Sequence, residues 1–104
     1  MASTYKIIYT EEALGDIDEI IGYILSVTWR WSADKWARKF FEKIESLALF
    51  PEGNPIYEFD GTCRTTRAGK YSIIYEVNKD RLIVIILRVI YAKRDFKKIK
   101  IRNP

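Results

Sequence analysis

With 104 residues, 48% hydrophobic and 14% aromatic, the chain is sized for one domain around one continuous core. It has no histidine and a single cysteine, which excludes histidine-based triads, an internal disulfide and a four-cysteine zinc site. The net charge of +4 is unevenly spread: Met1 to Gly61 hold 6 Lys/Arg against 11 Asp/Glu, and Thr62 to Pro104 hold 12 against 3. That asymmetry points to an anionic partner for the second half.

Tyr5-Lys6-Ile7-Ile8-Tyr9 is short, β-branched and aromatic, and reads as a strand with Tyr5, Ile7 and Tyr9 on one face. Thr10 is placed to cap a helix, with Glu11 and Glu12 in the first turn, where the helix dipole favours acids. Leu14, Ile17, Ile21, Ile24 and Leu25 then form one apolar stripe, with Ile20 at its edge. Gly15 and Gly22 within this helix suggest close packing against a neighbour.

Thr28-Trp29-Arg30-Trp31 breaks the stripe, and Ser32 is the expected cap of a second helix. Its apolar face comprises Ala33, Trp36, Ala37, Phe40, Phe41, Ile44, Leu47 and Ala48. Two amphipathic helices with so short a break imply an antiparallel hairpin. Phe50-Pro51-Glu52-Gly53-Asn54-Pro55 ends it.

Three strands are expected next: Cys63 to Thr66, Tyr71 to Val77, and Leu82 to Tyr91, with a hairpin loop at Asn78-Lys79-Asp80-Arg81. The last strand is apolar on both faces, the pattern of a doubly covered strand. Beyond Ala92 the chain is lysine-rich, and residues 97–104 are expected to fray. The fold predicted is α+β over residues 1–104: a strand, a helical hairpin, then a three-stranded antiparallel meander, with the hairpin packed on an antiparallel sheet. No secretory signal precedes Tyr9 and no apolar run has the length of a membrane span. A cytoplasmic protein with no membrane partner, metal or cofactor is expected.

In such a meander the end of the third strand lies beside the start of the second. Lys70, Tyr71, Tyr91 and Arg94 therefore converge on one rim, with Arg64, Arg67 and Lys93 as further cations of this half. Cationic donors beside aromatic rings suit a nucleic-acid or phosphate site. The same residues also fit a plain role, tyrosines in the core and cations solvating the edges. Arg88 interrupts an apolar strand, and an ion pair with a helix acid such as Asp18 or Glu19 is the favoured reading. Trp36 fits the core. Trp29 and Trp31 either staple the turn, the preferred reading, or form a protein-contact patch.

The stretch from Arg64 through Gly69-Lys70-Tyr71 to Tyr75-Glu76-Val77, followed by Ile86-Leu87-Arg88-Val89 and Arg94-Asp95, resembles the RelE/ParE toxins of type II toxin–antitoxin pairs. Tyr9-Thr10-Glu11-Glu12-Ala13-Leu14 and the Phe50 to Pro55 loop match as well, so the resemblance spans Tyr5 to about Phe96. It implies a growth-arresting toxin neutralised by a cognate antitoxin. Such an antitoxin would lay a net-acidic, amphipathic segment over the helices and the basic sheet, with Trp29, Trp31, Arg64 and Arg67 as contact candidates. Two targets occur in the superfamily: DNA gyrase for the ParE branch, and messenger RNA on the ribosome for the RelE branch.

For either target the residues implicated are Arg64, Arg67, Lys70, Tyr91, Lys93 and Arg94. RNA cleavage would fall to Arg67, Lys70, Tyr91 and Arg94, with Lys70 or Glu58 as the base. The RNases commonly have an arginine where this chain has Ser72 and often a histidine where it has Tyr91. Those departures, with two helices of nearly equal length, favour a gyrase-directed, non-enzymatic toxin. An mRNA interferase is the alternative, and a non-toxic nucleic-acid-binding module the third reading.

Overall fold

The computed structural model describes residues 4–94 and 96–101. Strand β1 (Lys6–Tyr9) leads into helix α1 (Glu11–Val27), which turns directly into α2 (Arg30–Leu49). Strands β2 (Arg64–Ala68), β3 (Tyr71–Asn78) and β4 (Ile83–Tyr91) follow. The four strands form one sheet in the order β1-β4-β3-β2. The meander β2-β3-β4 is antiparallel, as expected, but β1 adds to β4 in parallel, so the sheet is mixed. The helical crossover between β1 and the meander makes that parallel pairing possible.

Thr10 is the expected cap: its hydroxyl oxygen accepts from the Ala13 amide at 3.1 Å. The same hydroxyl donates to the Leu87 carbonyl at 2.9 Å, so the cap also ties α1 to β4. The cap of the second helix lies three residues before the expected Ser32. Trp29 caps it with no side-chain hydrogen bond, and the Ser32 amide donates to the Trp29 carbonyl at 2.9 Å. The missing side-chain cap is affordable because α2 is held by its buried face, Ala33, Trp36, Phe40, Ile44 and Leu47.

Gly15 and Gly22 do not mark a close approach. A methyl group added at either would meet nothing within 4 Å. Both point to solvent, so they are simply weak helix formers on an exposed face.

One face of the sheet packs on the hairpin through Ile73, Tyr75, Val84, Ile86 and Val89 against Ala13, Ile20 and the α2 residues. The other face is also covered. Ile74, Leu87 and Ile90 pack with Tyr57 and Cys63 of the long loop and with Phe96, Ile99 and Ile101. This double cover is why β4 is apolar on both faces. It also corrects the expectation of a frayed tail: residues 96–101 are anchored by apolar contacts, and the Lys100 carbonyl accepts from Arg88 at 2.6 Å. The remainder, 102–104, lies outside the described residues.

The β3–β4 register slips between Ile74, opposite Arg88, and Tyr75, opposite Ile86, leaving Leu87 as the extra residue of a bulge. Beyond Ile86, β1 has ended and β4 lacks a strand neighbour on that side. Two α1 side groups take over the backbone bonding there: Thr10 at Leu87, and Asp16, whose carboxylate accepts from the Val89 amide at 2.9 Å. Asp16 also holds Arg88, through Nε at 2.7 Å and Nη2 at 3.0 Å. The expected ion pair therefore exists with a different acid, the one whose helical position faces the open strand edge.

A basic aromatic cleft at one end of the sheet

Tyr71 opens β3 and stands opposite Tyr91 at the end of β4, with ring centroids 5.9 Å apart. The Ala92 amide donates to the Lys70 carbonyl at 2.8 Å, which fixes the Lys70 turn against the strand end. Trp36 of α2 meets Tyr71 edge-on at 5.6 Å and stacks on Phe40 at 5.3 Å. The sheet end and the hairpin tip thus enclose a cleft of about 710 Å³. Its walls include Tyr23, Trp31, Tyr71 and Tyr91, and Lys35, Lys39 and Lys70 line it. No lining residue is a carboxylate.

A smaller hollow of about 390 Å³ adjoins it, sharing Lys39 and Gly69 and adding Lys43, Arg67 and one acid, Glu42. Gly69 has a φ of +62°, a left-handed conformation that glycine adopts without the Cβ clash other residues meet. Among the described residues, no ion pair engages Lys35, Lys39, Lys43, Arg67 or Lys70. The Lys35 ammonium instead lies 5.2 Å from the centre of the Trp31 ring. Burial raises the Tyr71 phenol above its ordinary pKa, with Tyr23 and Tyr91 adding to the effect. It therefore stays protonated as a neutral hydrogen-bonding group at working pH.

The expected convergence holds for Lys70, Tyr71 and Tyr91. Arg67 joins through the adjoining hollow, opposite Ser72 in the β2–β3 register. Lys93 and Arg94 are exposed just past β4 and do not line the cleft. Arg94 closes a turn, its amide donating to the Tyr91 carbonyl at 3.0 Å. Arg64 is at the far end of β2, where it donates to the Asn54 carbonyl at 2.7 Å and lies 3.9 Å from Glu52. It serves the loop after α2 rather than the rim, because two residues of extended strand, Thr65 and Thr66, separate it from Arg67. Glu58 lies on the loop that covers the reverse face and lines neither hollow.

Trp29 and Trp31 do not staple the turn. They are 82% and 69% exposed, whereas Trp36 is 8% exposed. What the pattern of late-strand cations did not reveal is the contribution of α2. Lys35, Lys39 and Lys43 recur every four residues, which places them in one row along the helix. Among the described residues, no three His, Cys, Asp or Glu cluster as a metal site, and no helix is long and apolar enough to cross a membrane.

Residues 7–96 match the model of a family described as the ParE toxin of the type II toxin–antitoxin system, parDE. No curated protein matches by sequence. Among solved structures, the fold is similar to the chromosomal ParDE system from P. aeruginosa, with a TM-score of 0.74 and 18% identity, covering 88% of this chain and 99% of that one. The archaeal RelE–RelB complex from Pyrococcus horikoshii OT3 aligns with a TM-score of 0.60 and 21% identity, over 88% and 99% of the two chains. The RelBE2 complex from Mycobacterium tuberculosis aligns with a TM-score of 0.58 and 22% identity, over 85% and 98%.

Proposed function

Because this chain belongs to the ParE toxin family of type II toxin–antitoxin systems, we propose that it arrests growth by binding DNA gyrase in the cytoplasm, and that a cognate antitoxin neutralises it. The observation that carries the reading is the lining of the cleft. It offers ammonium groups and aromatic rings, which bind, and no carboxylate or histidine to move a proton. RNA cleavage needs a group to take the 2′-hydroxyl proton and others to stabilise and protonate the departing oxygens. Ser72 stands where the related RNases commonly carry an arginine, and Tyr91 where many carry a histidine. Glu58, a candidate base, is on the wrong side of the sheet. Lys70 and Tyr91, the other candidates for proton transfer, do line the cleft, but with no carboxylate or histidine beside them there, and a binding toxin fits this lining better than an enzyme.

The antitoxin's contribution follows from charge and exposure. A net-acidic amphipathic segment would cover Trp29 and Trp31 with apolar anchors and neutralise Arg67 and the lysines around it. Arg64, held by Glu52 and Asn54, would take a lesser part.

The test is inducible expression, with plasmid supercoiling and protein synthesis followed separately, alongside a supercoiling assay with purified gyrase. Loss of supercoiling before any fall in translation is expected. Prompt cessation of translation with cut messenger RNA and unaffected gyrase would replace this reading with the mRNA-interferase one. Normal growth would leave the nucleic-acid-binding module.

A further inference from the structure

We propose that the cleft and the adjoining hollow together seat a short single strand of DNA, one base entering the aromatic cleft and the flanking phosphates lying along Lys70, Lys39 and Arg67. The choice of DNA over RNA rests on the gyrase reading. The seating of a strand rests on geometry alone.

The two hollows adjoin, sharing Lys39 and Gly69 in their linings, so their cations are spread along a track rather than gathered at a point. Lys35, Lys39 and Lys43 step along α2 at about 6 Å intervals, four residues of helical rise each. That interval is on the scale of a nucleotide backbone repeat. None of these cations is engaged by an acid among the described residues, and Glu42 is the single carboxylate along the track. The lysines act as point charges and Arg67 as a planar fork, and both kinds of donor hold phosphate oxygens.

The cleft itself selects for a flat apolar group. Trp31, Tyr71 and Tyr91 present aromatic surface, on which any base can stack. Its volume lies in the range of small-molecule sites, room for a nucleotide and far too little for a duplex.

The experiment is a titration of the purified toxin with a single-stranded tetradeoxythymidylate, read by tryptophan fluorescence. Parallel arms use the oligouridylate, a DNA duplex and inorganic polyphosphate. Saturable quenching by the single strand is expected, with a salt slope near −2, about −0.7 for each of three phosphates. Trp31→Leu should weaken binding about tenfold, the scale of one stacked base. Lys39→Gln with Lys70→Gln should weaken it and flatten the slope by about 1.4. All three side chains line the exposed cleft, and circular dichroism checks that each variant folds.

Equal binding of polyphosphate, unchanged binding by folded variants, or no saturation with DNA overturns the proposal. Tighter binding of the RNA strand overturns the choice of DNA. The two readings fail separately: gyrase inhibition without strand binding removes this proposal alone, and strand binding without gyrase inhibition removes the functional reading alone.

Discussion

Replacing Asp16 by alanine tests the account of how α1 closes the sheet. The Asp16 carboxylate makes three hydrogen bonds, to Arg88 Nε at 2.7 Å, to Arg88 Nη2 at 3.0 Å and to the Val89 amide at 2.9 Å. The pair is mostly sequestered, with side-chain exposures of 18% for Arg88 and 12% for Asp16. Asp16→Ala leaves the guanidinium with the Lys100 carbonyl as its remaining hydrogen-bond partner among the described residues, and the Val89 amide without an acceptor. Breaking a buried pair from one side costs about 3–5 kcal/mol. Residual water access to the guanidinium moves the expectation to the lower end, and the orphaned amide adds about 1 kcal/mol.

A loss of about 3–4 kcal/mol is therefore expected, a large share of the roughly 5–15 kcal/mol that holds a domain of this kind together. It should lower Tm by about 12–32 °C at about 4–8 °C per kcal/mol for this chain length. Asp16→Asn keeps an oxygen for Val89 and loses the charge, so about half that loss is expected. Urea unfolding of both variants, with Arg88→Met to complete a double-mutant cycle, gives the coupling energy directly. Hydrogen exchange isolates the backbone part: the Val89 amide should lose protection in Asp16→Ala and retain it in Arg88→Met. A loss below 1 kcal/mol for Asp16→Ala, or equal Val89 protection in both variants, would show that β4 does not depend on this carboxylate.

Burial raises the phenol pKa values of Tyr9, Tyr57, Tyr71 and Tyr75 above their ordinary value of 10.0. The folded state then holds these protons more tightly than the unfolded chain. Their contribution is complete below pH 10 and is lost as pH rises through the folded values. Urea midpoints measured from pH 9 to 11 should fall above pH 10, by at most about 1.4 kcal/mol per pH unit for each tyrosine. A flat profile contradicts the burial. Leu82, with a φ of 55°, sits in the left-handed region, at a cost of roughly 1 kcal/mol. Leu82→Gly should leave stability unchanged or raise it by up to about 1 kcal/mol, despite the loss of a large apolar side chain. Thr10→Ala removes both the helix cap and the bond to the Leu87 carbonyl. A loss of about 1–2 kcal/mol is expected by urea unfolding, and less than 0.5 kcal/mol would reduce Thr10 to an ordinary surface residue.

The fold was legible where local chemistry and period decide it. Thr10 at the mouth of an acidic first turn, the stripes of α1 and α2, and the alternation of Tyr71, Ile73 and Tyr75 are all statements about neighbours in sequence. The meander then followed from short connections. The boundary of α2 was not legible, because Ser32 is a better cap by type than Trp29. Packing of the α2 face outweighed the roughly 1 kcal/mol that a cap contributes. The partner of Arg88 was misjudged for a related reason. Asp16, Asp18 and Glu19 are equivalent in sequence, and only the point at which β1 ends leaves the Val89 amide open to one of them.

The candidate site divides along the same line. Lys70, Tyr71 and Tyr91 were placed together by the pairing rule of a meander, which needs no tertiary information. Arg64 seemed to belong with them only because it is close to Arg67 in sequence. A strand carries successive residues about 3.3 Å apart in a straight line, so Arg64 is delivered to the far end of β2, opposite Tyr75 and beside Glu52. Lys35, Lys39 and Lys43 stand in the half of the chain whose net charge is negative, so a tally by halves conceals them. Their four-residue spacing was visible; the side of the hairpin that α2 turns toward β3 was not. The charge map that bears on function is therefore a property of the packed molecule. The cations of an acidic half and a basic half meet at one cleft, while the acids of α1 are spent in part on closing β4.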